Sequence, residues 1–216
     1  MKSLKISFAL IVTAIAFTAC KDENQMKANE SLDAFDKYTD SVSNVAEEKA
    51  AENWEAIETK YRELKMNAEN SLSAAKDKVT LQTDFDKTSM KYEDYKRKVM
   101  SEKEKNQKTA MYLSLLGPSY VNDDMQFNWV NKNNILSVYQ NFVNTVQKNK
   151  DSYSREDWDE IKLVYEALDT RKNTVEKEGL SSSDNLKIAG LKLKFSPMYT
   201  LNRMGAKSEE NAEAKK

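Results

Sequence analysis

Apolar positions along this chain recur at three- and four-residue steps for most of its length, the spacing of one stripe on an α-helix. Trp54, Ile57, Tyr61, Leu64, Ala68, Leu72, Ala75 and Val79 form the longest such series, and Leu32, Phe35, Tyr38 and Val42 give a similar stripe before it. No Gly or Pro interrupts residues 27–78, and the interval 43–53 is weakly apolar. This pattern predicts either one long helix or two joined by a bend. A second segment, 81–116, carries Leu81, Phe85, Tyr92, Tyr95 and Val99, then the wholly polar 101–108, then apolar 110–116. Gly117 and Pro118 supply its C-cap and stop.

Ser119 to Trp129 reads as a loop, with Asn122, Asp123 and Asp124 as turn residues. A third helix is expected over about 127–148, through Ile135, Leu136, Tyr139, Phe142, Val143 and Val146. A fourth opens at Ser154, an N-cap followed by acidic Glu156 and Asp157, and ends at Gly179. A last helical piece is expected over 185–195, broken at Ser196-Pro197. The alternation of Leu191, Leu193 and Phe195 also permits a strand, which would lack a partner. Residues 206–216 read as a disordered polar tail.

Residues 35–64 align without gaps on 139–168, an offset of 104. Val42, Glu52, Trp54, Ile57, Tyr61 and Leu64 recur as Val146, Glu156, Trp158, Ile161, Tyr165 and Leu168, and Phe35 and Tyr38 recur as Tyr139 and Phe142. Only three Trp occur, so a shared W-x-x-I-x-x-x-Y-x-x-L pattern points to duplication rather than to chance alignment of two stripes. The expected fold class is all-α, an elongated helical bundle built from a duplicated helical-hairpin module. Its expected organisation is a signal peptide over 1–19, a polar tether over 20–29 and a first helical module over 30–118. A loop over 119–126, a second module over 127–205 and the tail over 206–216 follow. Ala50 stands where the second copy has Ser154, so the bend of the first copy could straighten into continuous helix.

The N-terminal stretch departs from all of this. Lys2 and Lys5 precede an uncharged run from Ile6 to Phe17, too short to span a bilayer but suited to a signal-peptide core. It stops at Phe17-Thr18-Ala19-Cys20, directly before Lys21-Asp22-Glu23. This resembles the bacterial lipobox, in which a small residue precedes a cysteine that is diacylated. Leu is more usual where Phe17 stands. The resemblance implies lipidation with palmitate-type chains at Cys20, the only cysteine. Two chains anchor stably where one does not. Lys21, Asp22 and Glu23 resemble the short Lys-plus-acidic export signal of surface lipoproteins of the Bacteroidota. The expected location is therefore the outer membrane, on its cell-surface or periplasmic face.

Composition narrows the chemistry. There is no histidine, which removes the commonest general base and metal ligand together. With Cys20 assigned to lipid, thiol catalysis, disulfides and zinc sites fall away too. Four Gly and two Pro leave little to punctuate strands and turns. Without Lys2 and Lys5, 32 basic residues stand against 35 acidic, a net charge of −3. Such interspersed charge argues against a nucleic-acid partner. No catalytic residue, metal ligand or cofactor is expected. Asp123-Asp124 lacks calcium-loop spacing, and Asp40-Ser41-Val42, an O-glycosylation-like tripeptide, is too short to be informative. Trp54, Trp158, Tyr61 and Tyr165 lie on apolar stripes and are expected in the core. Tyr120 and Trp129, beside the loop, are the first candidates for a contact surface.

The leader, the Asp157-Trp158-x-x-Ile161-x-x-x-Tyr165 helix, and the closing Asn202-Arg203-Met204-Gly205-Ala206-Lys207 are similar to a group of uncharacterised helical lipoproteins of the Bacteroidota. That resemblance implies localisation and fold, with a domain of unknown function. The expected role is a non-enzymatic structural or protein-interaction module, held at the membrane by its lipid anchor and facing an envelope protein partner. The alternative is a ligand- or glycan-binding accessory lipoprotein, which needs a concave aromatic site. A carboxylate-based hydrolase needs two inward carboxylates in reach, and no pair stands out.

Overall fold

The computed structural model describes residues 23–120 and 125–215. Among them every regular element is a helix: α1 (Glu23–Ser43), α2 (Glu47–Glu52), α3 (Trp54–Ser73), α4 (Lys78–Leu116), α5 (Ile135–Asn149), α6 (Arg155–Lys177) and α7 (Ser182–Glu213). The expected all-α class holds, and the strand reading of 191–195 does not. The chain divides into two compact units between Glu102 and Lys103, inside α4 rather than at the expected loop 119–126. Residues 101–108 offer nothing apolar to either core, so packing lapses there while the backbone stays helical.

In the first unit α1 runs antiparallel along α3. Phe35 meets Tyr61 with ring centroids 5.4 Å apart, and the Tyr38 hydroxyl donates to the Ile57 carbonyl at 3.0 Å. This register sets buried Ala28 level with buried Ala68, and two methyl side chains let the helices approach closely. The expected tether is already helical from Glu23, because Ala28 belongs to this interface. The bend between the stripes does not straighten. α1 stops at Ser43, α2 is one short helix, and Asn53, at φ −120°, separates it from α3. The first part of α4 covers the pair through rings: Tyr92 stacks on Tyr61, at 3.4 Å and 6°, and on Trp54, at 5.9 Å. Gln25 on α1 ties down the α3–α4 turn, its side-chain oxygen accepting from the amides of Lys76 and Asp77 at 3.0 Å each.

The second unit is built on α7, which packs along both α5 and α6. Trp158 is fully buried edge-to-face against Tyr153 and Tyr199, and Tyr165 stacks on Phe195 at 4.4 Å. The last residues of α4, including Tyr112, Leu115 and Leu116, join this core. Gly117, at φ +85°, ends α4 with its amide on the Leu113 carbonyl, as the Gly-Pro pair predicts.

Three expectations fail here for identifiable reasons. The helix expected from Phe127 begins only at Ile135. Asn131 and Asn134 bond their own backbone instead, the Asn134 side chain accepting from the Asn131 amide at 2.7 Å and donating to the Trp129 carbonyl at 3.0 Å. Pro197 does not break α7. It lies on the exposed side of the helix, and core contacts of Ile188 and Phe195 before it and of Met198 and Tyr199 after it hold the helix through the one backbone bond a proline removes. The expected tail is helical to Glu213, since Glu210 accepts from the backbone amide of Arg155 at 3.0 Å and from its Nε at 3.1 Å.

Candidate functional site

Cys20, Lys21 and Asp22 lie outside the described residues. Glu23 is the first residue of α1 and pairs with Lys27 at 2.7 Å, one turn on. Hydrogen bonding to Lys27, assisted by its charge, lowers the Glu23 carboxyl below its ordinary range. Whatever precedes residue 23 therefore joins a helix that Ala28 and Gln25 fix to the first unit.

The loop pair expected to present a contact surface is drawn inward. Tyr120 is only 6% exposed and packs edge-to-face on Tyr112 at 5.6 Å, so it cannot serve as an outward platform. Trp129 is half-buried against Phe127, and its Nε1 is buried with no partner among the described residues. Phe127 itself sits at φ +49° and Met125 at φ +55°, a left-handed backbone that costs a bulky residue about 1 kcal/mol or more. Full burial of the Phe127 ring and the Val130 amide bonded to its carbonyl at 2.8 Å hold it there. Tyr120, Phe127 and Val130 are buried pieces of the second core, with Met125 and Trp129 packed against it.

Ionisable groups meet in interhelical networks rather than in a cleft. In the first unit Glu58 accepts from the Tyr92 hydroxyl and from Lys96 Nζ, both at 2.9 Å, and from Arg62 at 3.3 Å. Burial works against its charge, but the bonds from Lys96 and Tyr92 outweigh it and hold the carboxyl below its ordinary range. In the second unit Asp169 accepts from Lys192 at 2.5 Å and from the Tyr139 hydroxyl at 3.1 Å. Arg203 grips Asp159 through Nε at 2.5 Å and through a terminal nitrogen at 3.0 Å, a fork that depresses the Asp159 carboxyl against mild burial. Burial pushes the phenols of Tyr38, Tyr61 and Tyr165 up to about 12, so they remain neutral near pH 7.

Each of these carboxylates is already occupied by cations or phenols of a neighbouring helix, an arrangement that joins helices. Along α1 and α4, a groove lined by Asp36, Asp40, Thr88 and Lys91 is closed in the same way, with Thr88 on Asp36 at 2.8 Å and Lys91 on Asp40 at 2.5 Å. Among the described residues no group of three or more His, Cys, Asp and Glu is placed to hold a metal ion, and no helix is long and apolar enough to cross a membrane.

One surface feature stands apart. α7 is apolar on two opposite sides. Ile188, Phe195, Met198 and Tyr199 face the core, while Leu186, Leu193, Leu201 and Met204 point outward and are 76%, 78%, 70% and 66% exposed. With Gly190 and Pro197 they repeat at steps of four, three, four, four and three, so they form one continuous line along the outer side. A helix that is apolar all round is ordinarily covered all round. The sequence carried this signal in the spacing of these residues, but a helix ended at Pro197 cuts the line in two.

Residues 146–216, the end of α5 together with α6 and α7, match the family model described as Domain of unknown function (DUF6565). No curated protein and no solved structure matches the chain.

Proposed function

We propose that this protein is a lipid-anchored, non-enzymatic helical module of the cell envelope, tethered through Cys20 to the outer membrane and presenting helical faces to an envelope protein partner. The observation that carries the reading is the sequence Phe17-Thr18-Ala19-Cys20 at the end of an uncharged run, directly before Lys21-Asp22-Glu23. The side chains most able to do chemistry are committed to interhelical bonds, Glu58 to Lys96 and Tyr92, Asp169 to Lys192 and Tyr139, and Asp159 to Arg203.

The body is also read as a duplicated module. In both units the Trp and Tyr of the W-x-x-I-x-x-x-Y pattern take rings from the helix that follows: Tyr92 of α4 covers Trp54 and Tyr61, and Phe195 and Tyr199 of α7 cover Tyr165 and Trp158. The repeated unit is then a three-helix set rather than a hairpin, the third helix supplying the lid of the aromatic layer. This differs from a hairpin in which each Trp packs only on its partner helix.

Incorporation of radiolabelled palmitate into the wild-type chain, lost in Cys20→Ala, tests the anchor. Protease shaving of intact cells reports which face of the outer membrane carries it. Label that persists in the Cys20→Ala chain, or wild-type protein without label, overturns the anchoring. Crosslinking in intact cells followed by purification should recover an envelope protein joined to the chain, and repeated recovery of none overturns the interaction role.

A further inference from the structure

We infer that the outward side of α7 is a docking surface for an anionic lipid bilayer, on which the helix lies flat. The apolar line from Leu186 through Gly190, Leu193, Pro197 and Leu201 to Met204 spans 19 residues, about 27 Å of helix. Its charge setting selects the occupant. From Asn185 to Ser208 the chain has five cations, Lys187, Lys192, Lys194, Arg203 and Lys207, and no acidic residue, although Asp and Glu make up about one residue in six overall.

These cations divide by direction. Lys192 and Arg203 turn toward α6, bonded to Asp169 and Asp159. Lys187, Lys194 and Lys207 are exposed, Lys187 with its ammonium 3.3 Å from Asp184 at the start of the helix. On a helix turning 100° per residue, Lys187 and Lys194 border one edge of the apolar line and Lys207 borders the other. Apolar side chains flanked on both edges by lysines match a bilayer surface, where the chains enter the acyl boundary and the ammonium groups reach headgroup phosphates.

A second copy of the chain fits less well. Antiparallel self-pairing centred on Pro197 sets Lys187 of one copy against Lys207 of the other, and parallel pairing sets each lysine against itself. Like charges at the margins of an apolar seam oppose association. A bilayer bearing negative headgroups meets all three lysines with the opposite sign. Docking does not depend on acylation of Cys20, and it adds a second contact if that anchor forms.

The full-length Cys20→Ala chain, which has neither thiol nor acyl chains, separates the two ideas. An environment-sensitive fluorophore placed through Leu193→Cys reports the outer side of α7, and the same probe at Thr174→Cys on exposed α6 is the reference. Vesicles of phosphatidylglycerol and phosphatidylcholine are compared with vesicles of phosphatidylcholine alone. The expected result is a blue shift and bilayer-quencher accessibility at 193 and not at 174, strongest with the anionic vesicles. Lys187→Glu/Lys194→Glu/Lys207→Glu should weaken the response at least about tenfold, with helicity by circular dichroism unchanged because all three positions are exposed. A probe at 193 that stays in its buffer state with both vesicle types overturns the inference, as does an equal response to both. A concentration-dependent shift in buffer with a doubled sedimentation mass also overturns it and assigns the face to a second copy.

Discussion

The two helical units place a Trp and a Tyr of the same sequence pattern in unlike surroundings. In the first, α1 and α3 bury small Ala28 and Ala68 in a shared core, and α4 is held over them by rings and by polar bonds. Its buried apolar residues often keep a margin of exposure: Leu32, Leu81 and Phe85 at 7% and Trp54 at 9%. In the second, α7 is wedged against α5 and α6, and Ile135, Val143, Val146, Trp158, Ile161 and Leu168 are all at 0%. The first unit thus relies more on directional bonds between helices, the second on volume filled with branched and aromatic side chains. Removing bulk should harm the second unit more, and removing a buried polar partner should harm the first.

The largest expected effect follows from bulk. Trp158→Ala empties a fully buried site between Tyr153 and Tyr199 and should cost about 3–5 kcal/mol. Trp54→Ala, at the edge of its core, should cost roughly half as much. Amide hydrogen exchange read separately over α6 and α3 measures each loss in its own unit. Equal losses would break the comparison.

Next comes the carboxylate on α3 that holds two donors of α4 and one of its own helix. Glu58→Gln keeps the shape but weakens bonds to Lys96, Tyr92 and Arg62, and should destabilise the first unit by roughly 1–3 kcal/mol. The pH dependence has a definite sign. The Glu58 carboxyl is held below its ordinary value of 4.5 in the folded chain, so its stabilising contribution is full above that value. It is lost as pH falls below it, through the lower folded value. Exchange protection of α3 and α4 should therefore drop on acidification below about pH 4.5 in wild type and less steeply in Glu58→Gln. Identical acid limbs in the two chains would remove Glu58 from the account.

Much of this fold is readable from local pattern. The stripes locate the long helices, Gly117 and Gly179 mark two ends, and Ser154 with Asp157 announces the start of α6. The contacts that sequence spacing does not expose are long-range. Gln25 bonding to the 76–77 turn draws the expected tether into α1, and Arg155 binding Glu210 keeps the expected tail helical. Pro197 misleads because the loss of one backbone hydrogen bond and the crowding of the carbonyl four residues earlier are local costs. The contacts of Ile188, Phe195, Met198 and Tyr199 with the second core hold α7 helical on both sides of it. The same misreading hides the outer line of α7. The burial of Tyr120 is likewise invisible locally, since it depends on Tyr112 at the end of the preceding helix. The stretch Phe17-Thr18-Ala19-Cys20 is the opposite case, legible only as sequence, because it lies outside the described residues.

The smallest effect tests the starts of the helices, where the two units differ most plainly. Ser154 closes a capping box: its hydroxyl accepts from the Asp157 amide at 3.1 Å while the Asp157 carboxylate accepts from the Ser154 amide at 2.9 Å. At the start of α2, Ala46 has the extended backbone of a cap, φ −59° and ψ 136°, but no side chain to accept a bond. Ser154→Ala should cost about 1 kcal/mol in the second unit, and Ala46→Asp should return a similar amount to the first. The added carboxylate would also face the positive end of the α2 backbone dipole, though a helix of six residues has only a short one. Denaturant titrations followed by exchange over α2 and α6 read both changes. If Ala46→Asp leaves α2 as labile as before, the bend between α1 and α3 is set by packing around Asn53 and Ala50 rather than by the missing cap.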